Sequence, residues 1–151
     1  MADTLVIGYG SDLRGDDAAG RHVVRRVADL GLSGVATLEV HQLTPELATA
    51  LGSHRRVVFV DAAAGVDEVA AVAVSAAPEP SPGTHHATPA GLLALARSAL
   101  GAEPGEAVLV TVPAAGFDLG AGLSPLARRG VARATEVIAG IAGAAATREA
   151  G

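Results

Sequence analysis

Leu5-Val6-Ile7-Gly8-Tyr9-Gly10-Ser11-Asp12-Leu13-Arg14-Gly15-Asp16-Asp17 is the stretch whose reading decides the fold. Its apolar start reads as a strand, and its glycines break that strand into a loop ahead of a helix. A Gly-rich turn of this kind usually suggests phosphate binding, because a helix start offers free N–H groups and a partial positive charge to an anion. Here Asp16 and Asp17 occupy that start, and their carboxylates would repel a pyrophosphate. The spacing fails too: Gly10 is followed by Ser11, Asp12, Leu13 and Arg14 before Gly15, whereas the dinucleotide fingerprint places its third glycine sooner. What remains is a loop holding carboxylates at the carboxyl edge of a sheet, where open α/β proteins place their chemistry. Asp17 is the first site candidate.

Working outward, Asp17 opens a helical pattern with Val23, Val24, Val27 and Leu30 at near-helical spacing, closed by Gly31. Arg21, Arg25 and Arg26 are expected towards solvent. Val35 to Val40 reads as a second strand. Thr44-Pro45, Thr88-Pro89 and Ser124-Pro125 each place a capping residue before a first-turn proline, and so mark three further helix starts. Between them, Arg56 to Val60, Glu68 to Val74 and Ala107 to Val112 are Val-rich runs that look like buried strands of a largely parallel sheet. This alternation predicts an α/β fold, a three-layer α/β/α sandwich with a mostly parallel, mixed central sheet.

The 151 residues suit a single domain, residues 1–151, with a tail from 143 to 151 that is expected to fray. Half of them are hydrophobic but only 2% are aromatic, so the core must be built from small aliphatic side chains that let helices sit close to the sheet. A formal charge of -5 without a basic run removes the usual footprint for nucleic acid or an anionic membrane. No apolar stretch is long enough to span a bilayer, and Met1-Ala2-Asp3-Thr4 leads straight into a strand; both point to a cytoplasmic protein. The absence of cysteine excludes disulfides, thiolate metal sites and a Cys nucleophile.

Asp17, Asp61 after Val57-Val58-Phe59-Val60, and the His85-His86 pair before the Thr88 helix all fall at strand ends or helix starts. The Pro-rich loop Pro78 to Gly83 is expected to deliver the histidines to that edge. Two carboxylates and an imidazole make a divalent-metal site with open positions that suits nickel or zinc better than calcium. Each residue also has a plain structural reading: Asp17 as a charge at a helix start, Asp61 as a turn or cap residue, the histidines as exposed loop residues.

Gly8-Tyr9-Gly10-Ser11 with Gly15-Asp16-Asp17 and Gly20 resembles the N-terminal signature of the NiFe-hydrogenase maturation endopeptidases. Val57 to Asp61 resembles their second motif, Thr84-His85 followed by Leu92-Leu93 their histidine segment, and Val112-Pro113 through Gly120, Leu123 and Ser124 their late strand-loop-helix pattern. The resemblance spans nearly the whole chain, in order. It implies a protease that removes a short C-terminal extension from the hydrogenase large-subunit precursor after nickel insertion. Asp17, Asp61 and His85 then match the nickel-contacting positions, with His86 as fallback ligand, and the nickel is held by the substrate. Asp16 is assigned to supporting the loop.

Ser11 stands where the family usually has Asn, and His41-Gln42-Leu43-Thr44 replaces a Gly-Gly-Thr stretch. His41 through Leu47 resembles the branch serving bidirectional, NAD-coupled hydrogenases. His41 itself reads equally as a strand-end residue or a substrate contact, and His22 and His54 are expected to face solvent. No Ser-x-Gly elbow or Ser/His/Asp set is recognisable, so metal-assisted hydrolysis, with Asp17 or Asp61 orienting a water, is simpler than acyl-enzyme chemistry. Two other readings use the same edge: a non-catalytic α/β metal- or nucleotide-binding module, and a metallohydrolase acting on small substrates.

Overall fold

The computed structural model describes residues 3–79 and 87–150, with side chains as far as residue 144. Among these, strands β1 (Thr4–Tyr9), β2 (Val35–Val40), β3 (Arg56–Ala64), β4 (Ala70–Ala73) and β5 (Glu106–Ala114) form one sheet in the order β2-β1-β3-β5-β4. All neighbours are parallel except β4 and β5. Helices α1 (Ala19–Leu30) and α4 (Pro125–Ala150) cover one face, and α2 (Ala48–Gly52) and α3 (Pro89–Leu100) cover the other. The expected three-layer α/β/α architecture is therefore observed.

The two faces follow from strand alternation. In β3, Val58 and Val60 pack into the α1/α4 layer with Val6, Val23, Val27, Val110, Val131 and Ile138, while Val57 and Phe59 pack into the α2/α3 layer with Ile7, Leu51, Leu92 and Leu93. These β3 side chains are fully buried, and each contributes on the order of 1.5–3 kcal/mol by leaving water. Close approach of α1 depends on missing side chains. A Cβ on Gly20 would lie 2.4 Å from the Val60 carbonyl oxygen, and one on Gly8 would lie 2.2 Å from that of Gly20.

Three local expectations change. The Glu68 to Val74 run is not a buried parallel strand: only Ala70–Ala73 is extended, it is exposed, and it lies antiparallel at the sheet edge. The link from β3 through Gly65 holds no helix, and a parallel return needs a longer crossover. Asp17 lies in a 3-10 turn, Gly15–Ala18, that precedes α1. Thr88 and Ser124 cap their helices through Gly91 N–H (3.0 Å) and Ala127 N–H (3.1 Å), but Thr44 makes no side-chain cap, and the chain after it enters a 3-10 turn, Pro45–Leu47, before α2. Among the described residues, no helix is long and apolar enough to cross a membrane.

Candidate active site

The parallel register puts the carboxyl ends of β1, β3 and β5 along one edge, with Gly8 opposite Val60 and Asp61 opposite Thr111. Continuing that register by one residue brings Tyr9 beside Asp61. Asp61 lies within β3, not after it, and its alternation turns it to the face opposite Val60. The Tyr9 hydroxyl lies close enough to its carboxylate for each group to shift the other's ionisation.

Asp17 reaches this edge from the β1–α1 loop. Gly10 has φ 143, and a Cβ there would lie 1.9 Å from the Asp17 carbonyl oxygen, so the loop folds this tightly only over glycine. Ser11 N–H then donates to Asp17 Oδ2 at 2.8 Å. An ionised carboxylate has about four acceptor positions, so this bond orients Asp17 and leaves it able to bind a cation.

The electrostatics separate three neighbouring carboxyl groups. Burial pushes the Asp61 carboxyl up to about 6; its Ala62 backbone bond opposes this, the nearby Asp17 charge adds to it, and the Tyr9 hydroxyl opposes it. Burial and the Asp61 charge push the Tyr9 phenol upward in turn. Burial also acts to raise Asp16, but hydrogen bonds from Ser124, Ala115 and Gly116 outweigh it and hold Asp16 below the usual carboxylate range. Asp16 is only 1% exposed, and all its acceptor capacity goes to the β5–α4 loop. It supports the loop, as expected from the sequence.

A charged cluster braces the outer side. Arg21 pairs with Glu39 (3.1 Å) and Asp12 (3.4 Å), and Arg25 pairs with the same carboxylates at 2.8 and 2.7 Å. Arg21 and Arg25 are thus half-buried in ion pairs instead of lying free towards solvent, while Arg26 is exposed. His22 and His54 are also half-buried, and a His54 ring nitrogen hydrogen-bonds to the Ala50 carbonyl at 2.8 Å. Burial, then the Arg25 charge, holds His22 below the usual histidine range. His41 is exposed at the end of β2, where its carbonyl accepts Gly10 N–H.

Asp17 and Asp61 are therefore brought together, whereas His85 and His86, with most of the Pro78 to Gly83 loop, lie outside the described residues. Among the described residues no group of three metal-ligating side chains gathers. Tyr9 is the neighbour of Asp61 that sequence reasoning missed. It is the chain's only tyrosine, a signal available from composition, but its meeting with Asp61 depends on a register between strands far apart in sequence. A cavity of about 460 Å³ between the β3–β4 turn and α4 touches the end of β5 at Pro113 but is lined by none of Tyr9, Asp17 and Asp61.

No family model matches the chain, and no curated protein does. Solved structures do. The NiFe hydrogenase maturation protease HybD from Thermococcus kodakarensis matches with a TM-score of 0.70 and 25% identity, over 94% of this chain and 99% of its own. The NiFe hydrogenase maturation protease HycI from Thermococcus kodakarensis KOD1 gives 0.71 and 23%, over 94% and 93%. The hydrogenase maturating endopeptidase HybD from E. coli gives 0.72 and 23%, over 100% and 94%. The resemblance read from the motifs thus extends to the fold of nearly the entire chain.

Proposed function

We propose that this chain is a cytoplasmic endopeptidase that removes the C-terminal extension of a NiFe-hydrogenase large-subunit precursor after nickel insertion. The observation that carries this reading is the pairing of Asp17 with Asp61. Two carboxylates share one edge, one is pushed up by burial and by the other's charge, and no lysine or arginine pairs with either among the described residues. Such an arrangement is costly unless a cation arrives from outside. The fold shared with named maturation proteases supplies the class of partner that would bring one.

In this reading the nickel belongs to the substrate, and Asp17, Asp61 and His85 contact it, with His86 as the fallback ligand. A divalent ion beside a peptide bond polarises the carbonyl or lowers the pKa of a water. Asp17, oriented by Ser11 N–H, aligns that water, while Tyr9 keeps the Asp61 carboxyl facing the edge. Aspartate at the first position requires the substrate to approach more closely than a longer side chain would. The His41 to Leu47 segment favours a hydrogenase of the bidirectional, NAD-coupled branch.

The test is the intact mass of the large subunit in cells of the source organism with this gene present, deleted, or replaced by Asp17→Asn. Deletion should leave a nickel-loaded precursor heavier by a C-terminal peptide, and the variant should not restore processing. An unchanged mass on deletion would favour the non-catalytic binding module, and turnover of a small substrate without the precursor would favour the other metallohydrolase.

A further inference from the structure

Leu13 and Leu119 are each 68% exposed and Phe117 is 39% exposed, although each lies on a loop that the structure fixes firmly. Leu13 belongs to the β1–α1 loop, and Phe117 and Leu119 belong to the β5–α4 loop. The loops are joined directly: Gly120 N–H donates to the Leu13 carbonyl at 2.8 Å, and Asp16 N–H donates to the Gly116 carbonyl at 3.0 Å. The Asp16 carboxylate adds bonds to Ala115, Gly116 and Ser124. Leu13 is also tied to the candidate site, since its N–H donates to Ser11 Oγ at 3.2 Å and Ser11 N–H donates to Asp17.

We infer that Leu13, Phe117 and Leu119 form the docking surface for apolar side chains of the precursor segment that is cleaved, seating its scissile bond over Asp17 and Asp61. This rests on the protease reading. Continuity with Asp17 selects the occupant, because Leu13 is joined to Asp17 through Ser11, so the Leu13 end of this surface adjoins the candidate site. Size selects against a second copy of this protein. Three partly exposed side chains offer on the order of a few hundred Å², whereas a stable protein interface buries roughly 800 Å² per partner.

The test is steady-state cleavage of the purified nickel-loaded precursor by the wild type and by a Leu13→Ser/Leu119→Ser double variant, with Tm measured alongside. The expected result is a rise in KM of about tenfold or more with kcat changed less than about threefold, and an unaltered Tm. If the serine pair lowers Tm, the bulkier Leu13→Gln/Leu119→Gln pair carries the same test. An unchanged kcat/KM overturns the inference and leaves the protease reading standing, as does a fall in kcat at constant KM. A wild-type dimer that becomes monomeric in the double variant at constant kcat/KM also overturns it, by showing a self-interface. Failure of the wild type to cleave the precursor removes the protease reading, and the docking surface with it.

Discussion

Asp16 and Ser124, 108 positions apart, meet twice: Ser124 N–H donates to Asp16 Oδ1 and Ser124 Oγ donates to Asp16 Oδ2, both at 2.7 Å. Ser124 Oγ in turn accepts Ala127 N–H, so the same hydroxyl caps α4 and anchors the β1–α1 loop. One buried carboxylate thereby fixes the loop that presents Asp17 against the loop that begins the last helix. Asp16 and Asp17, adjacent in sequence, differ: the first spends its acceptors on the fold, and the second accepts one bond, from Ser11 N–H, among the described residues.

Asp16→Ala should lower stability by about 3–5 kcal/mol, because it strands the donors of Ala115 and Ser124 in a buried setting. Urea unfolding at pH 7 measures this; a loss under about 1 kcal/mol would mean that water replaces the carboxylate freely. Because Asp16 lies below its ordinary value of 3.8, its contribution is present above about pH 4 and disappears as pH falls through the lowered value.

Asp17→Asn should abolish precursor cleavage with little change in Tm. The asparagine oxygen still accepts Ser11 N–H, while the negative charge facing Asp61 is gone. A drop in Tm as large as that of Asp16→Ala would make Asp17 a structural residue.

Asp61→Asn should stabilise the fold at alkaline pH. The Asp61 carboxyl is raised from 3.8 to about 6, so the native state favours the protonated form and the wild type loses stability as pH rises through that value. The variant should therefore be more stable by about 1–2 kcal/mol at pH 8 and indistinguishable from wild type near pH 4, as chemical denaturation at both pH values would show. An advantage at pH 4 equal to that at pH 8 would exclude ionisation as its source.

Gly20→Ala should cost about 1–3 kcal/mol and loosen α1 from the sheet, since the added methyl meets the Val60 backbone, which cannot move aside as a side chain would. Gly31→Ala provides the contrast. No atom lies within 4 Å of its Cβ position, and its φ of 60 carries a local strain that leaves the sheet contact intact. Amide exchange on β1 and β3 should accelerate only in the Gly20 variant.

Much of the fold is legible in the chain because its determinants are local. Val35 to Val40 forms β2 as read, Gly31 closes α1 in the left-handed conformation, and Thr88 and Ser124 cap the helices that their Thr-Pro and Ser-Pro pairs announce. The Glu68 to Val74 run misleads because Val and Ala suit an exposed edge strand as well as a buried one, and only the helix-free link after β3 decides between them. The motif order likewise marks Asp17 and Asp61 as candidates from residue type and spacing. What local pattern could not supply was the environment of each carboxyl. Tyr9 meets Asp61 through parallel register, Asp16 meets Ser124 across 108 positions, and Arg21 and Arg25 bind Asp12 and Glu39 across the α1–β2 turn and the site loop. Sequence by itself determined which elements form and which acidic residues reach the sheet edge. Tertiary structure decided which of three carboxyls is consumed by the fold, which is pushed up by burial, and which accepts a single N–H among the described residues, because hydrogen bonding, burial and charge are set by groups distant in the chain.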